Sequence, residues 1–298
     1  MSSGDIKQVR ELLAGLPDID SLPLEELRAT YDTLGQQFPA PDGVSVTPTE
    51  VDGAKAEWAQ AQNARTDAVI LYFHGGGYAI GSPASHRHLI AALSQAAGAA
   101  ALAVDYRLSP EHPFPAAVED AVRTYQWLLR SGVTPNRIVI AGDSCGGGLT
   151  MATLLALRDR GMPRAAAGVC LSSWFDLTMS AESYTTKAEV DPIIKRETLI
   201  RWAQAYMQGQ DPRTPIASPL FADLSGLPPL LIQVGTEEVL LDDSTELAAR
   251  AKAAGVDATL EVWEEMIHVW HYFYPMLREG REAIARIGEF VRERMEQE

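Results

Sequence analysis

The chain has 298 residues, of which 46% are hydrophobic and 22% charged, a composition typical of a globular protein with a sizeable core. A net charge of −15 argues against nucleic acid and anionic membrane surfaces as partners. We expect a cytoplasmic protein without stable membrane insertion. The chain has two cysteines, no recognisable signal peptide, and no apolar run of the ~18 residues that a membrane span needs.

The first 40 residues predict two helices. IKQVRELLAGL and PLEELRATYDTLGQQF place apolar residues near helical spacing, and Pro23 suits a first helical turn. Pro39 and Pro41 then interrupt the chain. The following segments, VSVTPTEV and AKAEWAQAQ, predict two antiparallel strands.

From residue 68, short apolar runs alternate with longer helical patterns. The runs are AVILYF, AALAVDY, RIVIAG, GVCLSS, PLLIQVG and TLEVWEE. Most are so rich in Val, Ile and Leu that they predict strands buried on both faces. This alternation predicts an α/β fold with a mostly parallel sheet and helices on both faces. Functional sites of such sheets lie at the carboxyl ends of the strands. An exposed TLEVWEE edge would make a homodimer plausible.

About fifty residues separate GVCLSSWFDLT from PPLLIQVG, and a connection of that length is usually functional. Its second half, KRETLIRWAQAYMQG, predicts a helix. We interpret the segment as an inserted lid that packs with the N-terminal helices. Trp202, Tyr206 and Met207 on this helix are candidates to line an apolar acyl pocket.

The stretch VIAGDSCGGG, residues 139–148, contains the pattern G-x-S-x-G around Ser144. A predicted strand leads into it and a predicted helix leads out, which is the context of a nucleophile elbow. The alternative is a glycine-rich turn that cradles a phosphate. That alternative is disfavoured because the region has no Lys and no P-loop spacing.

A serine nucleophile needs a base, and the base needs a carboxylate; in elbow-containing sheets the chain order is serine, acid, histidine. His268 and His271 are the two histidines downstream of Ser144. His268 follows the last predicted strand, and His271 is expected on the first turn of the final helix. We therefore predict His268 as the base. The acid should follow PLLIQVG, where the carboxylates are Glu237, Glu238, Asp242 and Asp243. Asp242 and Asp243 are also good N-cap residues for the helix STELAARAKAAG, and a glutamate nearer the strand end is better placed to reach the histidine. Spacing does not choose between Glu237 and Glu238.

Four motifs together resemble one family. HGGG at 74–77, DYRLSPEHPFPAAVEDA at 105–121, GDSCGGG at 142–148 and MIHVWH at 266–271 are similar to the bacterial hormone-sensitive lipase family of esterases, the family IV lipolytic enzymes, which have the α/β-hydrolase fold. The resemblance implies a helical cap, here residues 1–42 and 178–212, over a catalytic core of 43–177 and 213–298. It also points to Glu238 as the acid, where the family usually has Asp.

The resemblance and the motifs together imply an ester hydrolase that needs no cofactor or metal, with a small-molecule ester and water as its partners. Oxyanion donors are expected from the N–H of Cys145 and from Gly76 and Gly77 of the HGGG loop, with Gly75 in reserve. We expect short- to medium-chain acyl esters. The alternatives are a lactone hydrolase with the same triad, or a non-catalytic receptor like the plant gibberellin receptors, which lack the catalytic histidine that His268 supplies here.

Overall fold

The N-terminal part of the chain forms two helices, α1 (Gly4–Ala14) and α2 (Leu24–Gly35), as the sequence predicts. The structure is a computed structural model that describes residues 4–15 and 22–296. Residues 1–3 and 16–21 of the predicted cap and 297–298 of the predicted core lie outside the described residues.

A sheet of eight strands forms the centre of the described chain, in the order β1-β2-β4-β3-β5-β6-β7-β8. β2 pairs antiparallel with both β1 and β4, and from β4 to β8 the pairing is parallel. The strands are β1 (Val44–Val51), β2 (Ala54–Ala61), β3 (Arg65–Phe73), β4 (Ala99–Val104), β5 (Ile138–Asp143), β6 (Ala167–Leu171), β7 (Leu230–Gly235) and β8 (Ala258–Trp263). The predicted mostly parallel α/β sheet is confirmed.

Helices connect the strands and cover both faces of the sheet. They are α3 (Pro83–Ala97), α4 (Ala116–Arg130), α5 (Cys145–Asp159), the short α6 (Ser183–Thr186), α7 (Arg196–Met207), α8 (Leu241–Ala253) and α9 (Arg278–Glu296). α3 begins with a capping box in which the Ser82 and Ser85 side chains each bond the other's backbone N–H, and Pro83 occupies its first turn.

Two apolar cores lie on opposite faces of the sheet because side chains alternate along each strand. On β3, Val69 and Leu71 point into one core, and Ile70 and Tyr72 point into the other. β4, β5, β6 and β7 are buried along their whole length. This explains why their sequences are continuous apolar runs rather than alternating patterns.

Two local predictions differ from the structure. His271 lies in a 3₁₀ turn, Trp270–Phe273, rather than on the final helix, which begins only at Arg278. Asp242 and Asp243 lie in the first turn of α8 and do not cap it; their carboxylates bond the backbone N–H groups of residues 183, 175 and 176 instead. Within the described ranges, no helix has the length and apolar character needed to cross a bilayer.

Candidate active site

Ser144 occupies a sharp turn between β5 and α5. Its backbone has φ 54° and ψ −124°, a strained conformation for a residue with a side chain. Close backbone packing makes the turn possible, because a Cβ at Gly142 would overlap the Gly146 carbonyl and one at Gly146 would overlap the Phe73 carbonyl. Ser144 precedes the first residue of α5, where the helix dipole favours negative charge. The predicted elbow geometry is thus present at this serine.

Glu238 and His268 lie in contact at the carboxyl ends of β7 and β8. His268 Nδ1 is 3.1 Å from Glu238 Oε2. The other oxygen of Glu238 accepts hydrogen bonds from Ser172 Oγ at 2.7 Å and from the Gly235 N–H at 2.6 Å. Because both oxygens are engaged and Glu238 is fully buried, this carboxylate holds the imidazole in a fixed orientation.

The pair also changes the proton affinity of its members. Burial raises the pKa of Glu238, and the bonds from His268, Gly235 and Ser172 oppose that rise. Burial alone would lower the pKa of His268, but the hydrogen bond and the charge of Glu238 raise it above its ordinary value. His268 is therefore an imidazole whose protonated form is stabilised by its neighbour.

Glu237, the alternative that spacing left open, faces a different part of the molecule. Its carboxylate forms an ion pair with Arg10 of α1, and its side chain is 31% exposed. It ties the N-terminal helix to the turn after β7. Of the two glutamates, the one in contact with the histidine is Glu238.

The HGGG loop lies directly beside the elbow, but its amides differ in their partners. The Gly75 N–H donates to Asp143 Oδ1 at 3.1 Å, so in this structure it is engaged by a carboxylate rather than directed at the cavity. Gly76 lines the cavity. Cys145 Sγ accepts the Tyr78 N–H at 3.1 Å and is also near the Gly77 N–H. The N–H of Cys145 is in the first turn of α5, where helix geometry supplies no partner.

Asp143 supports this loop through hydrogen bonds to its carboxylate. Besides the Gly75 N–H, it accepts the Tyr72 hydroxyl at 2.6 Å and lies 3.3 Å from His86 Nε2. Burial would raise the pKa of Asp143, but its interactions with His86, both electrostatic and by hydrogen bond, and the hydrogen bond from Tyr72 lower that pKa. Asp143 is therefore an ionised carboxylate held in the protein interior.

His74, which directly precedes the three glycines, has a supporting position. Its Nδ1 donates to the Gly75 carbonyl at 2.8 Å, and its ring stacks on Tyr106 at 4.3 Å. Burial lowers the pKa of His74 to about 3, so the ring is neutral. The Tyr106 hydroxyl donates to the His74 carbonyl at 2.7 Å. Arg107 of the same motif pairs instead with Asp120 on α4.

Ser144 and His268 open into one cavity of about 510 Å³, a size usual for small-molecule sites. Its walls come from α1, α2, the segment 192–195, α7 and the loop after β8. Its apolar lining residues include Leu12, Leu13, Leu27, Leu34, Phe38, Ile193, Ile194 and Leu199. The cavity therefore joins the predicted nucleophile and base to an apolar chamber.

The three substrate-binding predictions on α7 fare differently. Trp202 lines the cavity, and its indole lies where a Cβ at Gly77 would be. Tyr206 and Met207 are not among the cavity-lining residues of the described chain. Tyr206 is buried and stacks on Tyr78 at 3.9 Å, and Met207 is buried in the core, because this part of α7 faces the protein.

Sequence reasoning missed two polar residues of the site. Ser172 follows β6 directly and bonds both Glu238 and the Val269 N–H at 3.0 Å, which joins the acid turn to the histidine loop. Its place after a buried parallel strand was a signal that could have identified it. Asp191, in the long insertion, carried no comparable signal because its link to the acid-bearing turn, through the Val239 N–H, spans 48 residues of sequence.

Fold and site together define an α/β-hydrolase with a serine-centred site. The α/β hydrolase fold family model matches residues 70–272. An acetyl-hydrolase of Streptomyces hygroscopicus is 49% identical over 297 residues, covering 98% of this chain and 97% of that protein. An esterase of Acinetobacter venetianus is 35% identical, covering 89% and 88%.

Solved structures agree with the sequence relatives. A crystal structure of an esterase from the bacterial hormone-sensitive lipase family has a TM-score of 0.95 and 49% identity, and covers 99% of both chains. The esterase EstE5, in a crystal soaked with p-nitrophenyl butyrate, has a TM-score of 0.95 and 47% identity, and covers 99% of this chain and 100% of its own. The chain belongs to the α/β-hydrolase family, in its hormone-sensitive lipase branch, and is a carboxylic ester hydrolase.

Proposed function

We propose that the chain hydrolyses short- to medium-chain acyl esters through an acyl-enzyme, with Ser144 as nucleophile, His268 as base and Glu238 as the orienting acid. The observation that carries the proposal is the 3.1 Å contact between Glu238 and His268 at the cavity that Ser144 also lines. The carboxylate takes the proton-bearing Nδ1, which leaves Nε2 as the atom that accepts a proton.

In acylation, Ser144 Oγ attacks the ester carbonyl carbon and its proton moves to His268 Nε2. The carbonyl oxygen becomes an oxyanion. We propose the N–H groups of Gly76, Gly77 and Cys145 as its donors, with Gly76 and Cys145 the least engaged by other partners. Sulfur is a weak acceptor, so the Gly77 N–H loses little when it leaves Cys145 Sγ. Removing one oxyanion donor typically lowers kcat by about 100- to 1000-fold.

The tetrahedral intermediate then collapses. The C–O bond to the alcohol breaks, and the alcohol oxygen takes the proton from His268 Nε2. Water enters, gives a proton to the same nitrogen and attacks the acyl carbon. The second intermediate expels Ser144 Oγ, which recovers its proton, and the carboxylic acid leaves. Throughout, Glu238 stabilises the imidazolium that forms and disappears.

We assign substrate selection to a cap made of residues 1–42 and 178–212, placed over a core of 43–177 and 213–298. The support is that α1, α2 and α7, together with Ile193 and Ile194, supply most of the apolar lining of the cavity. A chamber of about 510 Å³ with such walls suits a short or medium acyl chain. EstE5, similar in structure, was soaked with a butyrate ester.

The test is a p-nitrophenyl ester series from acetyl to palmitoyl, with wild type and Ser144→Ala. We expect a maximum at short or medium chains and loss of turnover in the variant. Equal turnover by the two proteins would exclude Ser144 as nucleophile, and a maximum at palmitoyl would contradict the proposed acyl class. Circular dichroism of both proteins controls for folding.

Two further expectations stay predictions. A homodimer through the sheet edge is supported by the edge position of β8 and by Val262, which is 42% exposed there. Light scattering tests it, and a monomer at micromolar concentration would contradict it. A cytoplasmic location is tested by fractionation of the source cells.

A further inference from the structure

Asp191 is a buried carboxylate in the cap segment, residues 178–212, with both oxygens engaged. It is 7% exposed. Its Oδ1 accepts the N–H groups of Ile193 and Ile194, both at 2.9 Å, and its Oδ2 accepts the Val239 N–H at 3.0 Å. Val239 is 48 residues away along the chain. One side chain therefore joins two segments that are distant in sequence.

The two segments have different tasks in the proposed reaction. Ile193 and Ile194 form part of the cavity wall. Val239 directly follows Glu238, so its backbone position helps to fix the acid that holds His268. The Val239 carbonyl is bonded as well, by Ser183 Oγ at 2.6 Å, also from the cap segment. The turn that carries the acid is thus held by the cap and not by the sheet alone.

We propose that Asp191 is a positioning residue that couples the wall of the acyl cavity to the Glu238–His268 pair, an inference that rests on the function proposed above. Movement of the wall moves the Asp191 carboxylate, and with it the Val239 amide and the turn bearing the acid. Substrate fit in the chamber therefore influences how well the base is aligned. Charge-assisted hydrogen bonds of this kind are about twice as strong as neutral ones.

The charge of Asp191 also reaches His268. The other charged groups that act on this imidazole are Glu238 after β7 and Asp143 at the end of β5. His271, on the same loop, is neutral because burial lowers its pKa to about 3. The three carboxylates raise the pKa of His268 against the opposing effect of burial. Removing one negative charge lowers that pKa, so the imidazole stays neutral, and active as a base, to a lower pH.

The experiment compares Asp191→Asn and Asp191→Glu with wild type on p-nitrophenyl esters of increasing chain length, across a pH series. Asparagine removes the charge and retains one acceptor oxygen, so it cannot serve both segments. We expect kcat/KM to fall about 10- to 100-fold through misalignment, mostly in kcat. We also expect the acid limb of the pH profile to move to lower pH and the chain-length preference to broaden.

Glutamate at position 191 separates the two effects. It keeps the charge, but its longer arm displaces the turn at Ile193 and Ile194. The acid limb should stay near that of wild type while the chain-length preference changes. Asp223→Asn is the matched control, because Asp223 closes a similar turn on the Ser225 N–H at 2.9 Å and is not among the residues that line the cavity. It should leave kinetics and pH profile unchanged.

A purely structural role for Asp191 predicts a different result. The melting temperature would fall, while kcat, the acid limb and the chain-length profile of the folded Asp191→Asn protein matched wild type. That outcome overturns the proposal. Should Asp191→Asn not fold, an Asp191→Glu variant with wild-type chain-length preference and kcat overturns it equally. Ser144→Ala distinguishes the failures, since turnover by that variant rejects the proposed function itself.

Discussion

Replacing Glu238 by Gln is the sharpest test of the proposed acid, because the change retains size and removes only the charge and one acceptor. Glu238 Oε1 accepts from Ser172 Oγ and the Gly235 N–H at 2.7 and 2.6 Å. The amide oxygen of Gln takes that place, since both partners are donors. The amide NH₂ then faces His268 Nδ1, which must become the acceptor.

The consequence is a change of tautomer. With Nδ1 accepting, the proton of the neutral imidazole is on Nε2, the atom that should accept the proton of Ser144. In Ser-His-Asp enzymes, a carboxylate-to-amide change that keeps the geometry lowers kcat by about 10⁴-fold. We expect a loss of about 10³- to 10⁴-fold in Glu238→Gln. The melting temperature should change by less than about 4 °C, because the two other hydrogen bonds survive.

Glu237→Gln is the matched control, with the same chemical change one residue earlier. Its carboxylate pairs with Arg10 and is partly exposed, and such pairs contribute little to stability. We expect kcat within about twofold of wild type. The assay is p-nitrophenyl butyrate hydrolysis at saturating substrate, with thermal unfolding of each protein. A large loss in Glu237→Gln, with Glu238→Gln nearly intact, would refute the assignment and the tautomer reasoning together.

Two further predictions concern the proposed base and the proposed oxyanion loop. The pKa of His268 is raised above its ordinary 6.5, and the imidazole must be neutral to act as a base. We therefore expect kcat/KM to fall as the pH is lowered, with the midpoint of the fall above pH 6.5. A midpoint at or below pH 6.5 contradicts this expectation. Gly77→Ala should lower kcat by about 100-fold or more because its Cβ overlaps the Trp202 indole. Gly161→Ala is the control, because Gly161 has φ +63°, close to the +59° of Gly77, but open space where its Cβ would be. This variant should retain activity. Equal losses of activity in the two variants would show that backbone strain, and not the overlap with Trp202, is responsible.

Much of the fold is predictable because its signals are local. Strands buried on both faces need apolar side chains at every position, and β4 and β5 show this in their sequences. The elbow is also local, since the strand, the turn with Ser144 and the following helix are contiguous. Such a contiguous pattern specifies both a conformation and the place of a nucleophile.

The choice between Glu237 and Glu238 depends on contacts that span the chain. Both residues follow β7, and a difference of one position turns a side chain towards either Arg10 or His268. Only the packing of the histidine loop and α1 against this turn decides which glutamate faces His268 and which faces Arg10. The resemblance to a family pointed to Glu238, and residue spacing alone did not.

The positions of the predicted α7 residues also depend on contacts that are distant in sequence. Trp202 and Tyr206 are one helical turn apart, so periodicity gives them a common face. The sequence does not reveal that Trp202 on this face lines the cavity, whereas Tyr206 stacks on the ring of Tyr78. Similarly, the sequence held Gly75 in reserve only through the family resemblance, and its spacing gave no sign that the carboxylate of Asp143 accepts the Gly75 N–H.

The division of labour between sheet and cap has a consequence for specificity. The proposed nucleophile, base and acid lie at the ends of strands whose packing leaves little freedom, whereas the cavity wall comes largely from α1, α2 and the cap segment. Substitutions in the wall should therefore change chain-length preference with modest effects on kcat. Asp191 is the expected exception, because it belongs to the cap segment yet also bonds the turn of Glu238. In one assay of kcat across ester chain lengths, Leu27→Ala should change mainly the chain-length preference, whereas Asp191→Asn should change that preference and also lower kcat.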